Sequence, residues 1–158
     1  MALPKPQLTD PVQVVAFGFG SGLSPKAPGT VGSAAALLLY PLIAMLSPLV
    51  YALVVIAACV LGIWICGHAS KRLKVHDHPG IVWDEFAGMW ITLWAVPAEP
   101  LWVIAGFVVF RVLDITKPWP IGWLDRNTDG GLGIMIDDVV AGIIACAVLH
   151  LALLGTVV

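Results

Sequence analysis

Residues 27–67 run for 41 positions without a charged side chain or a histidine. One membrane-crossing helix needs about 20 apolar residues. This stretch is therefore long enough for two, and Ser47-Pro48 marks the break between them. The pattern predicts helices over 31–46, kinked at Pro41, and over 49–67. A second apolar hairpin follows over 81–96 and 101–115, divided by Val96-Pro97-Ala98-Glu99-Pro100. A fifth helix is predicted over 134–154. The intervening segments are polar at 71–80 and rich in Pro, Gly, Asp and Trp at 117–133. Composition agrees: 59% of residues are hydrophobic and only 11% charged, against roughly 25% charged in soluble domains. A 158-residue globule cannot hide that much apolar surface. The same numbers exclude disorder, and 8 Lys and Arg against 10 Asp and Glu exclude a basic nucleic-acid binder. The expectation is one domain, residues 1–158. It is an all-α, polytopic membrane helical bundle of about five short spans, with a re-entrant Gly-rich N-terminal segment.

Basic residues set the orientation. Lys5 and Lys26 precede the first helix, Lys71, Arg72 and Lys74 lie between the second and third, and Arg111, Lys117 and Arg126 lie around the end of the fourth. With five spans they share one face, and the positive-inside rule makes that face cytoplasmic. Of the acids, only Glu99 falls on the other side, so 17 of the 18 charged residues crowd one membrane face. A purely structural membrane protein has no need of that.

Several acids also lie within helices. Asp84 and Glu85 are expected about one turn inside the third, Asp137 and Asp138 about one turn inside the fifth, and Asp114 in the last turn of the fourth. Carboxylates at that depth are expensive and usually face a bundle interior with a partner. Helix N-termini offset part of the cost for the two pairs. Five carboxylates exceed what Arg111 and Lys117 can neutralise, and hard divalent cations such as Mg²⁺ bind carboxylate and phosphate oxygens. Helix capping by these acids is the bland alternative. It accounts for one acid per helix start, not two. Ile81–Glu85 and Ile134–Asp138 echo each other, with Gly88 and Gly142 each four residues beyond an acid, where small residues permit close helix approach.

Gly18–Ser33 holds five glycines, three serines, Thr30 and Lys26 ahead of the first helix. Backbone N–H groups there suit a phosphate, or the segment is a flexible turn with Thr30 as N-cap. It has no Walker A ending. Cys66 and Arg72 match the Cys-x5-Arg spacing of cysteine phosphatases, but Cys66 sits in an apolar helix and the match reads as coincidence. Cys59, Cys66 and Cys146 give no disulfide framework or zinc site. His76-Asp77-His78 suits a metal or a proton path, or simply caps the third helix. His150 reads as structural. Residues 1–13 lack an apolar core and do not read as a cleavable signal peptide.

Four blocks, GFGSGLSPKAPGTVGS (18–33), HDHPGIVWDEFAGMWITL (76–93), FRVLDITKPWPIGWLDRN (110–127) and GGLGIMIDDVVAG (130–142), resemble the phosphatidylglycerophosphatase A family. The likeness runs from about Val14 to Leu154. It implies a bacterial inner-membrane, Mg²⁺-dependent enzyme that hydrolyses phosphatidylglycerophosphate to phosphatidylglycerol and phosphate. The family's acidic blocks fall on Asp84, Glu85, Asp114, Asp137 and Asp138, and its Lys-Pro-Trp-Pro element on residues 117–120. The expected roles follow. Asp84, Glu85, Asp114 and Asp138 hold Mg²⁺, and Asp137 is the general base. Arg111, Lys117, Arg126, Ser21, Thr30 and Ser33 meet the phosphoryl oxygens. The expected partners are the lipid substrate and the bilayer, with homo-oligomerisation left open. An aspartyl-phosphate route ranks lower for want of a DxDxT motif. An intramembrane carboxylate transporter or proton relay is the competing class. It would want acids at mid-depth, open to both sides.

Overall fold

A computed structural model describes residues 4–75 and 78–156, and all regular structure among them is helical. Seven α-helices follow in order: α1 (Pro11–Ala16), α2 (Pro28–Ala44), α3 (Pro48–Leu73), α4 (Trp83–Thr92), α5 (Pro100–Thr116), α6 (Ile121–Asn127) and α7 (Gly130–Thr156). A 3-10 segment, Gly18–Leu23, joins α1 to α2. Proline opens α1, α2, α3 and α5. There its missing N–H costs nothing and its fixed φ suits the first turn.

The helices differ from the sequence expectation in ways that matter for the site. α3 and the stretch 130–155 of α7 are long and apolar enough to cross a membrane. By contrast α2 and α5 have 17 residues each and α4 only 10, so a count of five spans does not follow from helix length. α2 continues through Pro41. α3 runs on to Leu73, so Lys71 and Arg72 close a helix rather than open a loop. α4 stops at Thr92 because the chain turns at Leu93–Val96, with Ala95 at φ +55°. The 117–133 loop contains α6. Thr30 is not an N-cap: Ala27 occupies that position and Thr30 lies inside α2. Cys66 and Arg72 sit on one continuous helix, with Cys66 fully buried. No phosphate-binding loop joins them.

α7 is the central post, packed against α3, α4, α5 and α6. α4 is buried along most of its length, and polar tips of aromatic rings tie it to its neighbours. Tyr51 Oη on α3 donates to the Trp90 carbonyl at 2.7 Å. Trp90 Nε1 donates to the Ala36 carbonyl on α2, and Trp83 Nε1 to the Ala58 carbonyl on α3, both at 3.1 Å. Each bond satisfies a buried polar atom that an apolar core would otherwise strand. α4 crosses α7 at its glycines. A Cβ on Gly142 would lie 2.6 Å from the Gly88 carbonyl oxygen, so only hydrogen fits. That crossing brings the two acidic pairs together.

The outer surface is apolar. Leu49, Leu53, Val60 and Trp64 on α3, Leu101, Ile104 and Ile115 on α5, Leu38 and Met45 on α2, and Leu151 and Leu154 on α7 are each more than half exposed. A soluble monomer rarely shows contiguous apolar surface of that extent.

Candidate active site

Five helices converge on one cavity of about 320 Å³. α2 contributes Pro28 and Gly29, α4 Asp84 and Glu85, α5 Asp114, α6 Asp125, and α7 Asp137 and Asp138, with Lys117 at the C-cap of α5. Six carboxylates and one lysine therefore share the wall. Asp84 and Glu85 occupy the first turn of α4, where the helix dipole favours negative charge. α7 begins at Gly130, so Asp137 and Asp138 lie about two turns inside it. The dipole effect fades within one turn, and these two acids receive no such help.

Four of these carboxylates, Glu85, Asp114, Asp137 and Asp138, show two kinds of surroundings. Glu85 is neutralised internally. Its Oε2 accepts hydrogen bonds from Ser33 Oγ at 2.6 Å and from Arg111 Nη1. The same Nη1 reaches Asp114 Oδ2 at 2.8 Å, one turn along α5. Gly29 is required beside this group, since a Cβ there would collide with Glu85 Oε1. The second group is Asp114, Asp137 and Asp138, each offering one oxygen within 4.8 Å of the others. Here Asp137 Oδ1 and Asp138 Oδ2 are buried without a hydrogen-bond partner among the described residues. Stranded carboxylate oxygens are costly in a protein interior, and three hard oxygen donors facing one point could hold a divalent cation.

Lys117 is the cation of the wall. Its Nζ donates to Asp125 Oδ1 at 2.6 Å and to Asp137 Oδ2 at 2.8 Å. Burial alone would lower its pKa, but hydrogen bonds and charge from Asp125 and Asp137 outweigh this and hold it above the ordinary lysine range. Lys117 thus stays an ammonium at physiological pH. It also sits at φ +42°, a left-handed C-cap position where glycine is usual and where a side chain costs about 1–2 kcal/mol. Strain of this kind concentrates at functional sites.

The expected site residues do not all meet at the cavity. Asp84, Asp114, Asp137, Asp138 and Lys117 face the cavity as the sequence suggests. Glu85 faces it too, with its Oε2 held by Ser33 and Arg111, and it is not one of the three acids whose oxygens cluster. Asp137, expected as base, is one of those three. Ser33 is fully buried and, with Arg111, braces the site from behind rather than lining it. Ser21 Oγ donates to the Gly18 carbonyl, Thr30 lies in the first turn of α2, and Arg126 is exposed on α6. None of the three lines the cavity. The Gly-rich segment contributes instead through the start of α2, whose first N–H groups have no partner within the helix. His76 and Asp77 lie outside the described residues. His78 is buried, with Gly80 N–H donating to Nδ1 and Nε2 facing the Pro4 carbonyl at 3.0 Å. Nε2 therefore carries the proton, and the ring serves as a structural tie. Asp125 was not singled out from sequence. Its signal is its place eight residues after Lys117, which needs α6 to become meaningful.

The family model described as phosphatidylglycerophosphatase A matches residues 14–153. A phosphatidylglycerophosphatase A from Escherichia coli strain K12 is 52% identical over 91% of this chain and 84% of its own length. One from Haemophilus influenzae is 44% identical over 92% and 91%. A protein of Bacteroides thetaiotaomicron, named as a candidate phosphatidylinositol-3-phosphatase, is 40% identical over 82% and 86%. No solved structure matches the chain.

Proposed function

The chain belongs to the phosphatidylglycerophosphatase A family, and from that premise we propose that it hydrolyses the terminal phosphomonoester of phosphatidylglycerophosphate, at a Mg²⁺ site on the cytoplasmic surface of a bacterial inner membrane. The observation that carries this reading is the pair of buried, unpartnered oxygens on Asp137 and Asp138 beside Asp114. The apolar outer surface and the two long apolar helices support a bilayer setting. The basic residues Lys71, Arg72, Lys74, Lys117 and Arg126 support the orientation.

Asp114, Asp137 and Asp138 would hold the ion, which supplies Lewis-acid stabilisation of phosphoryl charge and a more acidic bound water. Lys117 donates an N–H to a phosphoryl oxygen. The N-terminal turn of α2 presents backbone N–H groups to the same phosphate. Arg111 and Ser33 keep Glu85 and Asp114 in place without touching substrate. Asp84 faces the cavity outside the three-acid cluster. It is assigned as general base because Asp137 belongs to the cluster proposed to hold the ion. Asp84 takes a proton from water as its oxygen bonds to phosphorus, the bond to the glycerol oxygen breaks, that oxygen takes up the proton, and phosphatidylglycerol and inorganic phosphate leave. The acyl chains stay in the bilayer throughout.

The test is phosphate release by detergent-purified protein from phosphatidylglycerophosphate, phosphatidic acid and phosphatidylinositol 3-phosphate, each with Mg²⁺ or EDTA. Mg²⁺-dependent release, fastest from phosphatidylglycerophosphate, is expected. Release that EDTA does not touch would overturn the metal site. Faster release from the inositol lipid would overturn the substrate assignment.

A further inference from the structure

Asp125 lines the cavity from α6 and approaches Lys117 Nζ more closely than Asp137 does, at 2.6 Å against 2.8 Å. An ammonium has three N–H donors, and these two carboxylates take two of them. α6 is well seated for this task. Ile121 is fully buried beneath it. Gly122 packs on the backbone of Lys117 itself, where a Cβ would stand 2.5 Å from the Lys117 carbonyl oxygen. Gly122 N–H also donates to the Pro118 carbonyl. The helix thus grips Lys117 at its backbone through Gly122 and at its side chain through Asp125. The Lys117–Asp125 pair is about one third exposed at both ends, and such a pair adds little to stability. Its consequence is geometric. Without Asp125, Lys117 would be left to Asp137 alone, a proposed metal ligand on the same wall.

We infer that Asp125 is a positioning residue, which splits the Lys117 ammonium between two carboxylates so that its third N–H is left for a phosphoryl oxygen of the substrate. This rests on the reading of the cavity as a lipid phosphomonoester site. Asp125 acts only through Lys117, and that makes the inference separable from a merely structural role.

The experiment is a double-mutant cycle on kcat/KM for phosphatidylglycerophosphate, with Mg²⁺ present and the melting temperature of each detergent-purified variant recorded. Asp125→Ala is expected to lower kcat/KM about tenfold and Lys117→Ala about a hundredfold. The double variant should be no worse than Lys117→Ala alone. Asp125→Asn, which keeps an acceptor oxygen at the same place, should recover part of the loss and substitutes for the alanine variant should that one fail to fold. Losses that multiply in the double variant would overturn the inference and leave the phosphatase reading standing. An Asp125→Ala enzyme as active as wild type would do the same. A wild type that releases no phosphate would overturn the reading beneath it and the inference together.

Discussion

The two acidic pairs are near copies in sequence and opposites in surroundings. Asp84-Glu85 opens α4, where the helix start favours negative charge and Ser33 and Arg111 satisfy Glu85. Asp137-Asp138 lies deep in α7 with one unpartnered oxygen on each residue. The first pair is largely settled by the protein itself. The second is left unsettled at one point in space, beside Asp114. Burying carboxylate oxygens without partners destabilises a fold, and the arrangement is explicable when a ligand completes it. Under the proposed function, this difference divides bracing residues from the residues that would hold the ion.

That contrast predicts opposite signs of stability change for equally conservative substitutions. Asp138→Asn should reduce phosphate release by about a thousandfold. In metal-free detergent solution it should raise the melting temperature by about 3 °C, because a buried carboxyl crowded by Glu85, Asp84, Asp114 and Asp137 gives way to a neutral amide. Glu85→Gln should cost about ten- to a hundredfold in activity. It should lower the melting temperature, since a broken buried pair leaves Arg111 undercompensated by up to about 3 kcal/mol. Thermal melts of both variants beside wild type would check this, and equal signs would break the comparison.

Gly142→Ala tests whether the pairs must share one depth. Its new methyl meets a backbone oxygen that cannot swing aside. A loss of about 1–3 kcal/mol is expected from overpacking, with activity falling in step as α4 and α7 part, read by melting and assay together. The smallest effect belongs to Cys66→Ala. The thiol is buried against Met135 Sδ at 3.8 Å, far from any role in the chemistry proposed. Activity within about twofold of wild type and a modest loss from the small cavity are expected. Thiol-alkylating reagents should leave the rate unchanged.

Much of this was legible in the sequence for one reason: a charge inside an apolar helix is expensive, so Asp84, Glu85, Asp114, Asp137 and Asp138 announce a site wherever the helices lie. Their pairing was not legible. Ser33 and Glu85 are 52 residues apart, and nothing local tells which carboxylate will meet Arg111. Helix edges failed where tertiary packing decides them. α6 has seven residues, too few to show a period, so the sequence there looks like loop. Missing α6 concealed Asp125. α4 was drawn too long because Leu93–Val96 remains apolar after the helix has ended.

The central claim is that Asp114, Asp137 and Asp138 hold a divalent cation. The most direct test is the melting temperature of detergent-purified wild type and Asp138→Asn, titrated with Mg²⁺ in the absence of substrate. Binding to the folded state alone stabilises by about 2.7 kcal/mol at a hundredfold excess over Kd. Wild type should therefore melt several degrees higher with Mg²⁺, while Asp138→Asn should not respond. An equal Mg²⁺ response in both proteins would contradict the account.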